Sequence, residues 1–175
     1  MDFGRGIHQI GGWWNEEEGN TNLFLFCHLI EERRITLIDT GSSIFPDRAI
    51  FPYMEKANLD PRDISLILNT HGHGDHIGGD ARVKAVSGAK LAAHRLEAPY
   101  VEDHPEDALS GEKTKVDILL DDGDEIEVAE GRRLKAIWTP GHSPGSLSFY
   151  DMEEKVVFTG DSVGIGESVA HLPYY

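Results

Sequence analysis

One stretch, ISLILNTHGHGDHIGG at residues 64–79, constrains this chain more than any other. It opens with an apolar run at 64–68, whose length and β-branched content predict a buried strand. Within six residues of one another, four potential metal ligands then follow: His71, His73, Asp75 and His76. Alternate residues of an extended chain face the same side, so His71 and His73 can direct both imidazoles at one point. Imidazole and carboxylate groups crowded at a strand end predict a divalent metal site, with zinc as the first choice.

For any one of these residues the alternative is an ordinary surface or hydrogen-bonded side chain. A single histidine after a strand is usually of that kind. Three histidines and an aspartate between glycines are hard to explain by turn chemistry alone. We therefore prefer the metal interpretation, because this spacing has a mechanism attached to it.

Two later strand ends also carry residues of the metal-ligand type. His142 lies in TPGHSPGS, where two prolines and two glycines predict a rigid loop that aims one side chain. Asp161 ends a predicted strand in FTGD. Earlier in the chain, Asp39 follows a strand in LIDTG and has two open interpretations. It either supports a ligand histidine from behind or only satisfies backbone groups of a turn.

Size and charge limit the class of protein. At 175 residues the chain fits one domain, predicted to span 1–175. Thirty-one acidic against sixteen basic residues give a net charge of −15, which disfavours nucleic acid and anionic membranes as partners. Neither a membrane-spanning stretch nor a signal-peptide core is present in the sequence. The single cysteine, Cys27, predicts a packed core thiol and fits a cytoplasmic protein. We expect a small-molecule substrate.

The pattern of elements predicts an α/β (α+β) fold. Helices are expected at about 47–58, at 81–87 with Asp80 as N-cap, and at 95–101. From residue 116 onward, short strands and tight turns dominate. This mixture predicts sheet packed on sheet with helices outside. Trp13, Trp14 and the acidic residues after them read as an exposed loop. Five features are candidates to shape a pocket: Trp13, Trp14, His94, Tyr100 and the 102–115 loop.

Together, the HxHxDH, TPGHSPGS and FTGDS motifs resemble the metallo-β-lactamase superfamily of zinc-dependent hydrolases, and LIDTG also matches. The resemblance covers nearly the whole chain and says little about the substrate. It implies a four-layer αββα sandwich with metals in a cleft at one sheet edge. It also implies that a zinc-bound hydroxide attacks an ester, thioester, lactone or related bond. A β-lactam substrate does not follow from the family name.

The resemblance also implies roles for individual residues. One zinc ion would be bound by His71, His73 and His142. A second would be bound by Asp75 and His76, with Asp161 bridging the pair. Asp75 is in addition the candidate catalytic residue, since it can orient the hydroxide.

One departure from the family pattern concerns the C-terminal side. The pattern continues from the bridging aspartate to a further histidine, but only fourteen residues follow Asp161 here. His171, ten residues on, is too near to match that position. We therefore expect a C-terminally truncated domain with an incomplete outer layer. The second zinc site would be weak or completed by another chain. Uncovered apolar sheet surface would favour a homo-oligomer.

Two other functions remain open at this point. An Fe²⁺ enzyme similar to the superfamily's persulfide dioxygenases would use His71, His142 and Asp161 as a two-histidine, one-carboxylate face. Alternatively, the chain is an inactive fragment that retains a metal.

Overall fold

A computed structural model describes most of the chain, and side chains are described at 6–11 and, within the ranges that follow, from residue 27 onward. The described residues are 6–15, 22–31, 34–103, 114–129 and 131–163. His171 and most of the predicted 102–115 loop lie outside these ranges. The side chains of Trp13 and Trp14 also fall outside the description.

The larger sheet has six strands that lie side by side in chain order. The strands are β1 (Ile7–Asn15), β2 (Asn22–Glu31), β3 (Ile35–Ile38), β4 (Ile64–Leu68), β5 (Lys90–His94) and β6 (Ile118–Leu120). β1, β2 and β3 pair antiparallel, whereas β3 to β6 pair parallel. The carboxyl ends of the parallel strands therefore meet at one edge of the sheet.

The smaller sheet has four antiparallel strands in the order β10-β9-β8-β7. They are β7 (Glu125–Ala129), β8 (Arg132–Trp138), β9 (Leu147–Asp151) and β10 (Val156–Phe158). β8 alternates buried and exposed residues along most of its length, as expected for a strand with one face on a core.

The helices are short. They are α1 (Phe51–Lys56), entered through a π-helical turn at Pro46–Ile50, then α2 (Gly74–Ile77), α3 (Asp80–Ser87) and α4 (Ala98–Glu102). In the part of the chain that the structure describes, 3₁₀ turns lie at Pro61–Asp63 and Gly160–Ser162. None of the described helices has the length and apolar character needed to cross a membrane.

The apolar residues form two cores on opposite faces of the larger sheet. On β3, Leu37 packs in the cluster that includes residues of all four helices, whereas its neighbour Ile38 packs in the cluster between the sheets. Alternate strand residues point to opposite faces, so a strand buried on both sides reads as a continuous apolar run. The result is a helix–sheet–sheet arrangement, and all the described helices lie on the larger sheet. This confirms the predicted α+β fold.

Cys27 lies in the helix-facing core and is fully buried. Burial raises the pKa of its thiol, with a smaller contribution from Asp39. A buried thiol of raised pKa is a poor nucleophile. The prediction of a packed core thiol is confirmed.

The prediction for Trp13 and Trp14 is wrong. Trp13 and Trp14 belong to β1 and pair with Phe24 and Leu23 of β2, so they are not in a loop. Aromatic residues favour strands, and a matching apolar partner strand outweighs the acidic residues that follow.

Asp80 is not the N-cap of α3. The N-cap position is Gly79, which makes no side-chain cap bond. The Asp80 carboxylate instead accepts hydrogen bonds from Thr40 Oγ1 and Asn69 Nδ2, each at 2.7 Å. Tertiary donors thus compete successfully with the local capping bond. The predicted helix end at Gly88 is confirmed, with a left-handed φ of 69°.

Helix α4 begins three residues later than predicted, at Ala98. A turn separates it from β5, in which Glu97 N donates to His94 O at 2.9 Å. Pro99 then occupies the first turn of the helix, where its missing N–H costs nothing. This short turn places Glu97 close to the carboxyl edge of the larger sheet.

Candidate metal centre

The six predicted ligands come from three strand ends. Residues 69–73 follow β4 and lead into α2, the 139–146 loop follows β8, and the Gly160–Ser162 turn follows β10. The two sheets are joined at this edge by Leu147 N, which donates to Thr70 O at 2.8 Å. The fold therefore brings the three ligand segments to one edge of the sandwich.

Three imidazoles form the first potential metal-binding group: His71, His73 and His142. Their ligand atoms lie within 4.8 Å of one another. His73 Nδ1 is 3.1 Å from His71 Nε2 and 2.9 Å from His142 Nε2. We call this set the three-histidine group.

The donor atoms of this group fit a metal ion better than they fit one another. A ring nitrogen offers either one hydrogen or one lone pair, so His73 Nδ1 cannot form good hydrogen bonds with both neighbours at once. One cation between three lone pairs would satisfy all three nitrogens. Zinc binds imidazole tetrahedrally at about 2.0–2.1 Å, which places neighbouring nitrogens about 3.3 Å apart. The spacing of the three rings is close to that geometry.

A second potential group combines His71, His76 and Asp161, also within 4.8 Å. Asp161 Oδ1 is 3.4 Å from His76 Nε2, and its Oδ2 is 3.5 Å from His142 Nε2. We call this set the mixed group. His71 belongs to both groups, and the carboxylate of Asp161 lies between them, which is the place that a bridging ligand would occupy.

Asp75 belongs to neither group. Its Oδ2 is 3.9 Å from His76 Nε2, and its side chain is 37% exposed. Its carboxylate is therefore partly open to solvent, as is that of Asp161. Its assignment as second-site ligand and catalytic residue stays a prediction, as does the ligand role of the other five residues.

Asp39 supports the mixed group from the interior. Its Oδ1 accepts from Thr70 N, and its Oδ2 accepts from Thr70 Oγ1, both at 2.8 Å. His76 Nδ1 donates to Oδ2 at 2.9 Å, which leaves Nε2 facing Asp161. The structure favours the supporting role of Asp39, because its carboxylate orients a predicted ligand in addition to accepting from a backbone N–H.

The two groups differ in protonation. Burial, together with a smaller effect of nearby His76, lowers the pKa of His71 to about 3. The pKa of His73 is also lowered, by burial and by His142. Burial alone would lower the pKa of His76, but Asp39 and Asp161 outweigh it and hold that pKa well above 6.5. The hydrogen bond from His76 lowers the pKa of Asp161 to about 2, so this carboxyl is an anion.

Of the predicted pocket residues, His94 and Tyr100 are described. The ring of His94 stacks on Trp138 with a centroid distance of 6.0 Å and an interplanar angle of 1°. Tyr100 is 61% exposed, and its Cβ lies near Gly72. A Cβ at Gly145 would lie 2.8 Å from His94 Nδ1, so both residues are close to the ligand loops.

Sequence reasoning missed several residues that hold the site. Asn69 and Thr40 fix Asp80 beneath the loop, and Thr70 supplies two hydrogen bonds to Asp39. Glu97 connects two ligand loops and carries no motif. Only their position next to the histidine motif marks Asn69 and Thr70 as candidates.

Comparison with known proteins identifies the family of this chain. The family model of the metallo-beta-lactamase superfamily matches residues 18–173, almost the whole chain. The chain belongs to this superfamily.

Two similar proteins carry hydrolase names. The chain is 29% identical over 153 residues to the hydroxyacylglutathione hydrolase GloC of Haemophilus influenzae, covering 81% of this chain and 69% of that protein. It is 33% identical to a hydroxyacylglutathione hydrolase of Pelagibacter ubique, covering 69% of this chain and 45% of that protein.

Solved structures show the same fold. BJP-1, a subclass B3 metallo-beta-lactamase of Bradyrhizobium japonicum, is 33% identical with a TM-score of 0.64, covering 73% of this chain and 50% of that one. FEZ-1 of Legionella gormanii has a TM-score of 0.68 at 22% identity, covering 83% of this chain and 55% of that one. The chain thus spans about half the length of most of these proteins.

Proposed function

We propose that this chain carries the metal centre of a zinc-dependent hydrolase that cleaves a thioester or a related ester or lactone bond in a small molecule. The convergence of His71, His73 and His142 on one point carries the proposal. A thioester is the first choice because two relatives are named for hydrolysis of an acyl group carried on glutathione.

Different residues of the chain would have different roles in this reaction. The three-histidine group would hold one zinc ion, and Asp161 with His76 would hold a second beside it. Bound zinc would supply a hydroxide near neutral pH and polarise the carbonyl under attack. The exposed carboxylate of Asp75 would orient the attacking water and accept its proton. With these parts in place, neither Cys27 nor Ser143 is needed as a nucleophile.

The test combines metal analysis with activity. We expect purified protein to contain zinc, to hydrolyse acyl-glutathione thioesters, and to lose this activity in a chelator and regain it with added zinc. His142→Ala should abolish turnover, whereas His8→Gln is the matched histidine control because His8 contacts Tyr53 and Glu31 away from the site. Turnover that survives both the chelator and His142→Ala would contradict the proposal.

A second candidate is an Fe²⁺ oxygenase, and the mixed group favours it. His71, His76 and Asp161 are two histidines and one carboxylate, the set that non-haem iron oxygenases use. The sequence-based version of this candidate used His142 in place of His76. Elemental analysis separates the two functions: iron with oxygen consumption on a thiol persulfide supports the oxygenase, and zinc without iron argues against it.

A further inference from the structure

Glu97 is a buried carboxylate that touches two of the ligand loops. It lies in the turn between β5 and α4, and 2% of its surface is exposed. Its Oε2 accepts from Gly72 N at 2.8 Å, between His71 and His73. Its Oε1 accepts from Gly145 N at 2.6 Å and from Ser143 Oγ at 2.8 Å, in the loop of His142.

The backbone of Glu97 is held in place by hydrogen bonds within the turn and helix α4. Its backbone N–H donates to His94 O at 2.9 Å, and its carbonyl accepts from Tyr100 N and Val101 N at 2.9 and 3.1 Å. It occupies the N-cap position of α4, yet its side chain makes no cap bond. The carboxylate is therefore committed to the two loops and not to its own helix.

Two glycines make room for this contact. A Cβ at Gly72 would lie 2.8 Å from Glu97 Oε2, and a Cβ at Gly145 would lie 2.7 Å from Glu97 Cγ. Both distances are too short for real side-chain contacts, and both loops approach Glu97 through a residue that lacks a Cβ. The local sequence on each side is therefore compatible with Glu97 reaching the backbone.

We propose that Glu97 is a positioning residue that sets the distance between His73 and His142, and that it thereby sets the metal affinity of the three-histidine group. The inference rests on the proposed metal centre. Direct contact between the two rings cannot set this distance, because their facing nitrogens, 2.9 Å apart, would both use lone pairs toward a metal. Glu97 lies behind both loops and holds each through a backbone N–H.

The chemistry requires a glutamate at this position. Both oxygens accept hydrogen bonds from N–H groups that can only donate. Glutamine would turn an NH₂ group toward one of the loops and lose that bond. Aspartate would keep the charge but lose one methylene of reach. Both Glu97→Gln and Glu97→Asp should therefore weaken the hydrogen bonds that fix the distance between His73 and His142.

The experiment measures zinc dissociation constants by competition with a chromophoric chelator, and folding by circular dichroism. We expect Glu97→Gln and Glu97→Asp each to weaken the first zinc ion by about tenfold to 100-fold, as supporting residues of metal ligands do. Ser143→Ala, which removes one bond to Glu97, should weaken it by about fivefold. Glu102→Gln is the control, because Glu102 is on the same helix and accepts from Val116 N, outside the ligand loops.

The outcomes separate this inference from the proposed function. If the wild-type chain binds no zinc, the proposed function fails and the inference fails with it. If the wild type binds zinc and both Glu97 variants bind it within about twofold, the inference alone is wrong. Normal binding by Glu97→Asp with weak binding by Glu97→Gln would show a charge effect and would also overturn positioning. If neither variant folds, Ser143→Ala decides, and wild-type affinity there overturns the inference.

Discussion

The three-histidine group and the mixed group share His71 but are prepared for a metal in different ways. In the three-histidine group, burial lowers the pKa of His71 and His73, so their ring nitrogens offer lone pairs. In the mixed group, His76 is held in its charged form between Asp39 and Asp161. The first group is ready for a cation, whereas the second already contains an ion pair that a cation must displace.

This difference indicates an order of binding. A cation entering the three-histidine group displaces no proton from His71. A cation entering the mixed group competes with the proton of His76, because metal ligands must be deprotonated. The comparison predicts one tight site and one conditional site, from residues within a few ångströms of each other.

The largest effect is expected for the shared residue. His71→Ala should weaken zinc binding at both groups by more than about 100-fold, since a lost ligand costs at least as much as a lost supporting residue. His76→Ala should leave the first zinc ion in place and weaken only the second. Equilibrium dialysis with elemental analysis gives both stoichiometries. Equal loss of zinc in the two variants would break the comparison.

Asp39→Asn tests the buried support of the mixed group. Asparagine tolerates the left-handed φ of 61° at this position, so the backbone is not strained. The NH₂ group of the asparagine side chain would face a donor, either Thr70 or His76, and that hydrogen bond would be lost. Unfolding in urea with a chelator should show a loss of about 2–3 kcal/mol. NMR titration should also show a lower pKa for His76. An unchanged His76 pKa would show that Asp39 does not set its charge.

Proton release distinguishes the groups directly. Because the pKa of His76 is raised, this residue is protonated just above pH 6.5 and must lose its proton when the mixed group binds zinc. Affinity for the second zinc ion should rise by about tenfold per pH unit until pH passes that pKa. His71, with a pKa of about 3, releases no proton over the same range. Calorimetry of zinc binding in buffers of different ionisation enthalpy measures the number of protons released at each group. Equal proton release at the two groups would contradict the prediction.

The sequence predicted those parts of the site that carry a local motif. The β4 strand and the histidines after it form one local pattern, and the convergence of His142 on His73 was expected from matching motifs. Glu97 was not predicted, because its partners are backbone N–H groups 25 and 48 residues away. Asp80 was misassigned for a related reason: the local rule favours a cap, and its actual donors come from two other strand ends. Buried acceptors are therefore the least visible part of such a site in sequence.

The smallest expected effect is a difference in stability between two Gly→Ala variants. It distinguishes backbone strain from crowding of side chains next to the mixed group. Gly160, next to Asp161, has a φ of 50°, and a Cβ there would lie 2.4 Å from Thr70 Oγ1. Gly88 has a similar φ of 69° but open space around it. Both Gly→Ala changes should cost about 1–2 kcal/mol for the left-handed backbone. Gly160→Ala should cost about 1 kcal/mol more and weaken the second zinc ion, because Thr70 must move away from Asp39. Equal losses in urea unfolding would mean that the turn adjusts without disturbing Asp161, and the mixed group would then be less tightly built than the comparison implies.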